Sequence, residues 1–465
     1  MSRKMYSEKL TPRTATFFFM LGVFYLAIVY SFLPVTFYNE VFTEPKLILR
    51  GLTLYKDIIQ HHGPGLRILL IPFFLYLPDW GAKYFILVVL FPIATSVFLM
   101  QLARSNLRPS AALAAFGSYV VFQPFFAGHI LWPDLVNGLI ALITFSLAYR
   151  KREGFNGSLD CRTLFFVGTA LGFGCLVKQT FGAFVLTFSA LLLWRERRLR
   201  PLGHMVVGVM VPPLLFLMYT LSNGSFGDFI ELAVVYNFTF TSSEANNWNH
   251  LCRYEKVTIV AFVFVLMVGS LLSRSKDSDL PRPPMAFALA GLSNLVTVYP
   301  RFGYEHLQQS LPFVALMIGL LVETVTVRAG ILRKGGASIL LGLVLLVFMG
   351  RGYWTRSLLV YRGLTETYNS RPDIQPICEK IEECTRKDEK IYIFGGDGIP
   401  AYVLTDRLPA ARDLYPFPWM FDEKRCIADL EKTFKNQHCL RIFLPDTTWK
   451  SYPEFSKYIE GFFSF

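Results

Sequence analysis

Between Phe37 and Gly65 the chain reads FYNEVFTEPKLILRGLTLYKDIIQHHGPG, which sets Glu40, Glu44, Lys56, Asp57, His61 and His62 in one short polar segment between apolar blocks. Carboxylates beside a low-dielectric boundary are costly to keep ionised, and one held partly out of water is suited to take a proton as a general base. A solvated loop carrying acids for no purpose is the plainer reading of the same residues. The adjacent histidines are weak metal ligands by pattern, because no third ligand follows at a regular spacing.

Two further groups interrupt apolar blocks. Lys178 and Gln179 break GFGCLVKQTFGAF, and Arg301, Glu305, His306 and Gln309 gather in YPRFGYEHLQQSLP. Cations at the edges of membrane helices suit anion binding, with snorkelling as the structural alternative. GHILWPDL adds His129, Trp132 and Asp134. An interfacial tryptophan is ordinarily an anchor, so Asp134 is the weaker candidate there.

These groups need elements to hold them, and composition says what those are. Of 465 residues 53% are hydrophobic and 17% charged, with a mean hydropathy of +0.40, too apolar for a soluble chain of this length. The apolar residues come in blocks that reach the length a helix needs to cross a hydrocarbon core, roughly 17–25 residues. In lipid such blocks must be helical, since every backbone polar group has to be paired. The net charge of +12 sits in short clusters between blocks, where it orients helices, and does not indicate nucleic acid.

The first block, Thr14 to Val35, follows Arg3, Lys4, Lys9 and Arg13 and reads as a retained helix, being too long for a signal peptide and lacking a cleavage site. Further crossings fall near 84–103, 111–127, 131–149, 163–177, 181–194, 204–221, 257–272, 285–299, 311–327 and 337–353, about eleven in all. Basic connections at 104–108, 150–152, 195–200, 274–282 and 328–334 all fall on one side by the positive-inside rule, with the N-terminus, in the cytoplasm of a cell inner (plasma) membrane. Gly65 to Pro78 is short and contains Pro72, and parity leaves it re-entrant or interfacial. Before it, Thr43 is expected to cap a helix starting near Glu44, with Pro45 in its first turn and Gly51 ending it.

The expected fold class is therefore an all-α polytopic membrane protein with a small C-terminal α/β domain. Residues 1–353 form the membrane domain, with an external loop at 37–64, and residues 354–465 an exterior, periplasmic domain. KIYIFGG and LRIFLPD read as its short buried strands, with helical spacing over Ile377–Arg386 and Asp422–Asn436. Cys378, Cys384, Cys426 and Cys439 lie in that tail, as free thiols or as a disulfide in an oxidising compartment.

The order of motifs resembles the glycosyltransferase C superfamily, in particular its bacterial protein-mannosyltransferase and aminoarabinose-transferase members. The resemblance rests on Asn39–Glu40, Gly51, LYKD at Leu54–Asp57, HHGPG at His61–Gly65, the Lys178–Gln179 pair, and the turn carrying Arg301 and His306 before a Leu-Pro. It implies a membrane glycosyltransferase that moves a sugar from a polyprenyl-phosphate donor to a glycan, lipid or protein acceptor, with inversion and without nucleic acid. Membrane lipids are its surroundings, and no cofactor is required, a divalent cation being the one possible addition. Members commonly carry an Asp further upstream of the loop glycine, where this chain offers Glu40 and Glu44 closer in, so the base is one of these two, Glu40 being favoured. Lys56, Asp57, His61, His62, Lys178, Gln179, Arg301 and His306 are the implied substrate-binding residues. A transporter or flippase is the rival class, but it predicts paired repeats with broken helices near the midplane.

Overall fold

In a computed structural model of the chain, the described residues are 11–32, 39–76, 80–126, 128, 130–149, 159–237, 253–272, 283–298, 303–328, 374–393, 398–414, 432 and 441–443. The chain divides into two compact units. One comprises Met1–Val35, Asp79–Met218 and Phe238–Thr365, and the other Thr36–Pro78, Tyr219–Asn237 and Glu366–Phe465.

The first unit is helical. Its described helices are α1 (Pro12–Phe32), then α4 (Trp80–Asn106), α5 (Pro109–Phe122), α6 (Pro133–Tyr149), α7 (Cys161–Val177), α8 (Gly182–Glu196), α9 (Leu199–Ser222), α11 (Arg253–Leu272), α12 (Pro283–Asn294) and α13 (Leu311–Arg328). Numbers α2, α3 and α10 belong to the other unit. Three of the described helical stretches, Pro12–Tyr30, Leu87–Asn106 and Leu199–Ser222, are long and apolar enough to cross a membrane. Large side chains on α1 stand open, Phe17 at 64% and Phe24 at 63%, as do Val207, Leu215 and Met218 on α9. So much exposed apolar surface is stable only against lipid or another apolar partner.

An aromatic core joins the helices that carry polar groups. The buried Phe145 ring of α6 lies 5.5 Å from Phe188, 5.3 Å from Phe313 and 6.1 Å from Phe287, and so ties α6 to α8, α13 and α12. Edge and offset contacts of this kind are favourable beyond their area and fix the rotation of each helix. Asp134, in the first turn of the same helix, is buried.

The second unit begins with α2 (Asn39–Leu49) and α3 (Gly65–Tyr76), continues with α10 (Phe226–Phe229) and a π-helical turn at Ile230–Val235, and ends in α14 (Gln375–Cys384) and α15 (Pro400–Leu404) with three short strands. Strand β1 (Lys390–Ile393) is central and pairs in parallel with β2 (Leu408–Pro409) on one side and β3 (Arg441–Phe443) on the other. The buried Ile391, Tyr392 and Ile393 explain why KIYI sits at the centre, for a strand covered on both faces reads as a continuous apolar run.

The helix after Phe37 begins earlier than expected. It starts by Asn39 and runs through Pro45, and Thr43 is buried inside it with its hydroxyl turned to Ile399 O at 3.5 Å, not capping a helix end. Proline disfavours helical backbone at the preceding residue, but Glu44 is held there by buried partners described below. Gly51 ends the helix at φ +91°, and Leu52 N bonds back to Leu47 O, the closing pattern that a left-handed glycine permits. The expected crossing at 337–353, the helix over 422–436 (Lys432 apart), Cys426, Cys439, His129 and Arg301 lie outside the described residues.

Candidate functional site

In the helical unit three polar side chains meet. Asp134 enters with Pro133 at the start of α6, where a carboxylate is favoured by the unpaired amides of a helix N-terminus. Lys178 follows the last turn of α7. Its backbone is extended (φ −154°, ψ 124°) and its amide still bonds to Gly174 O, so the chain leaves the helix there. His306 sits in a 3-10 turn, Tyr304–Gln309, held by His306 N to Gly303 O and by Thr297 Oγ1 to His306 O.

Lys178 Nζ donates to Asp134 Oδ1 at 2.9 Å and Oδ2 at 2.7 Å. His306 Nδ1 lies 2.9 Å from Asp134 Oδ2 and 3.0 Å from Lys178 Nζ. One ring nitrogen cannot donate to the carboxylate and accept from the ammonium at once, so the tautomer of His306 selects which bond is made. The Asp134 side chain is 0% exposed, whereas Lys178 and His306 each keep 12%. The carboxylate thus lies behind, and the two nitrogen-bearing groups lie in front of it.

Buried amides anchor the turn that carries His306. Gln308 Nε2 donates to the carbonyls of Gln123 and Phe126 at 3.0 and 2.6 Å, and Gln309 Nε2 donates to Asn294 Oδ1 at 2.5 Å. The turn bearing these residues lies directly on α6 at Gly138, where a Cβ would come within 2.9 Å of Gln308 O. Any larger residue would push the turn, and His306 with it, away from Asp134.

The second unit holds the first-loop residues. Glu44 is buried, with Oε1 accepting from Gln60 Nε2 at 2.6 Å and Oε2 from Arg67 Nε at 2.7 Å. Arg67, on α3, is itself fully buried, and its two terminal nitrogens meet no hydrogen-bond partner among the described residues. Burial pushes the Glu44 carboxyl up to about 7 although Arg67 pulls it down, and Glu40 adds to the rise. Glu40 is half-buried in the first turn of α2. Lys56 Nζ donates to Asn223 O at 3.3 Å, Asp57 Oδ2 accepts from Thr53 N at 2.8 Å, and the His62 amide donates to Gln60 Oε1 at 2.9 Å. His61 stacks on Tyr236 at 4.2 Å, and burial pushes its ring down to about 4, so it is neutral at ordinary pH.

Glu44 has a stability consequence. Its pKa is raised from 4.5 on folding, so its contribution is fully present below about 4.5 and is lost as pH rises through about 7, because over that window the folded chain keeps a proton the unfolded chain has released. Melting of the detergent-solubilised protein is expected to weaken more between about pH 5 and about pH 8 in wild type than in Glu44→Gln. Parallel pH slopes in the two proteins would show that another group is titrating.

Lys178 and His306 are therefore brought together, with Gln179 exposed at the start of the turn after Lys178. Two residues carry more than the sequence suggested. Asp134 is the hub of its cluster, and its signal was an acid one residue inside a long apolar block. Arg67 was hidden as one more basic residue in an apolar segment. Among the described residues no group of three His, Cys, Asp or Glu side chains is arranged to hold a metal.

No family model and no curated protein sequence matches the chain. Its fold does match solved structures. The crystal structure of ArnT from Cupriavidus metallidurans in the apo state aligns with a TM-score of 0.58 at 12% identity, covering 95% of each chain. The structure of the same protein bound to undecaprenyl phosphate aligns with a TM-score of 0.56 at 12% identity, covering 94% of each. The chain thus shares the fold of these ArnT structures, and its apolar helices make it a multi-pass membrane protein.

Proposed function

We propose that this protein is a membrane glycosyltransferase that transfers a sugar from a polyprenyl-phosphate donor to a glycan, lipid or protein acceptor on the exterior face of the inner membrane. The observation that carries the reading is the Asp134–Lys178–His306 cluster, in which a fully buried acid holds an ammonium and an imidazole that each keep 12% exposure. Such a pair of donors suits the phosphate that leaves when the glycosidic bond breaks. The fold supports it, since the ArnT structure aligned over 94% of its length binds undecaprenyl phosphate.

In this reading a carboxylate of the first external loop takes the proton of an acceptor hydroxyl. The hydroxyl oxygen attacks the anomeric carbon from the face opposite the phosphate, the bond from that carbon to the phosphate oxygen breaks, and polyprenyl phosphate leaves with the configuration inverted. Glu40, in the first turn of α2, is assigned as the base, and Glu44, whose two oxygens accept from Gln60 and Arg67, as a residue that holds the loop. Lys178 and His306 contact the leaving phosphate, joined by Arg301. Holding donor and acceptor together supplies much of the rate, with no soluble nucleotide and no required metal.

The direct test is incubation of the purified protein with radiolabelled polyprenyl-phosphate sugars and extracted cell-envelope material. Label is expected to pass to an envelope component. Label that stays on the donor across a panel of sugars would remove the reading. The orientation is tested separately: a reporter active only in the cytoplasm, fused after Phe465, is expected to be silent, and strong activity would put the first loop on the wrong face.

A further inference from the structure

Within the second unit the segment after β1 is fastened to the first external loop. Arg412 Nη2 donates to Tyr55 O at 2.7 Å and to Asp228 Oδ1 at 2.9 Å, and Arg412 O accepts from Ile59 N at 3.0 Å. Arg50 pairs with Asp406. One arginine thus joins the loop, the segment after α9 and the C-terminal segment.

What Arg412 grips is strained. Tyr55 has φ +69°, a left-handed conformation that a bulky residue keeps only where its surroundings enforce it. Its ring is fully buried and meets Phe229 edge-on at 5.1 Å, its hydroxyl donates to His62 O at 2.7 Å, and its amide bonds to Ile58 O. The turn at Tyr55 sets the direction of the segment that follows. That segment ends at Gln60, which links the His62 amide to Glu44. Strain kept by contacts from a distant part of the chain is a mark of a functional geometry.

We infer that Arg412 is a positioning residue: by holding the Tyr55 carbonyl and the Ile59 amide it keeps Gln60 on Glu44, and so holds in place the helix α2 that carries Glu40 one turn away. The C-terminal segment thereby takes part in shaping the first external loop. The inference rests on the transfer activity proposed above, and its test has a readout that does not.

The full-length protein is compared with Arg412→Ala, Arg412→Lys and Asp228→Ala, measuring transfer kinetics and hydrogen exchange of peptides spanning 50–62. Arg412→Ala is expected to lower kcat about tenfold to a hundredfold, the scale of an ångström-sized misplacement, with the donor KM within about twofold. Exchange over 50–62 rises while peptides from α6 and α7 are unchanged, and Arg412→Lys, which keeps the charge and a donating nitrogen but not the planar guanidinium, falls between. Asp228→Ala raises exchange over 50–62 in the same direction. Unchanged kcat and unchanged exchange in Arg412→Ala overturn the inference. If that variant does not survive purification, unchanged exchange in Asp228→Ala overturns it. A wild-type protein without transfer activity removes the function proposed above, and the exchange measurement still decides whether Arg412 fixes the loop.

Discussion

Glu40→Gln is expected to lower sugar transfer about a hundredfold or more, the usual scale for loss of a general base, while donor binding is retained. Glutamine keeps the shape and most of the hydrogen bonding, so what is lost is the capacity to accept a proton. Glu44 makes the comparison sharp. It is buried, bonded by Gln60 and Arg67 at 2.6 and 2.7 Å, and its substitution disturbs the packing of α2 on α3. Glu44→Gln therefore acts on stability and its pH dependence, and on activity only through them. Turnover and equilibrium binding of a labelled donor, measured on both variants, separate the two effects. If both retain full transfer activity, the loop supplies no base, and a transport role becomes the better account.

The same pair of residues shows what sequence alone could reach. That the first loop gathers acids beside an apolar boundary was legible from the residues themselves. That Glu44 is held by a buried arginine was not, because Arg67 lies 23 positions away on α3 and looks like one more basic residue. Helix positions were legible from apolar blocks, and α6, α7 and α13 fall where those blocks end. Helix rotation was not, since it depends on side-chain contacts such as those around Phe145. The start of α2 was misplaced because Thr43 and Pro45 carry the local signals of a helix beginning, and the buried ion pair of Glu44 overrides them. The joining of the loop to Arg412 spans more than three hundred positions and has no local signature.

Asp134 gives the second large effect, and a pair of substitutions separates its two roles. Asp134→Ala leaves Lys178 and His306 facing each other without the carboxylate that holds both. Breaking a buried ion pair from one side costs about 3–5 kcal/mol, and the lower end applies because Lys178 keeps 12% exposure. The variant is expected to melt well below wild type and to bind donor weakly. Asp134→Asn combined with Lys178→Met removes both charges and keeps the volume, so melting is expected to return close to wild type. Donor binding is not expected to return with it. Loss of a charge-assisted contact to phosphate is worth about 1.5–3 kcal/mol, which corresponds to a donor KM about tenfold to a hundredfold higher. Lys178→Ala alone should show the same KM increase with a smaller loss of stability, because it leaves Asp134 with His306 as a partner. A double variant that recovers stability and donor KM together would make the cluster a structural tie between α6, α7 and the His306 turn, and the phosphate would have to be bound elsewhere.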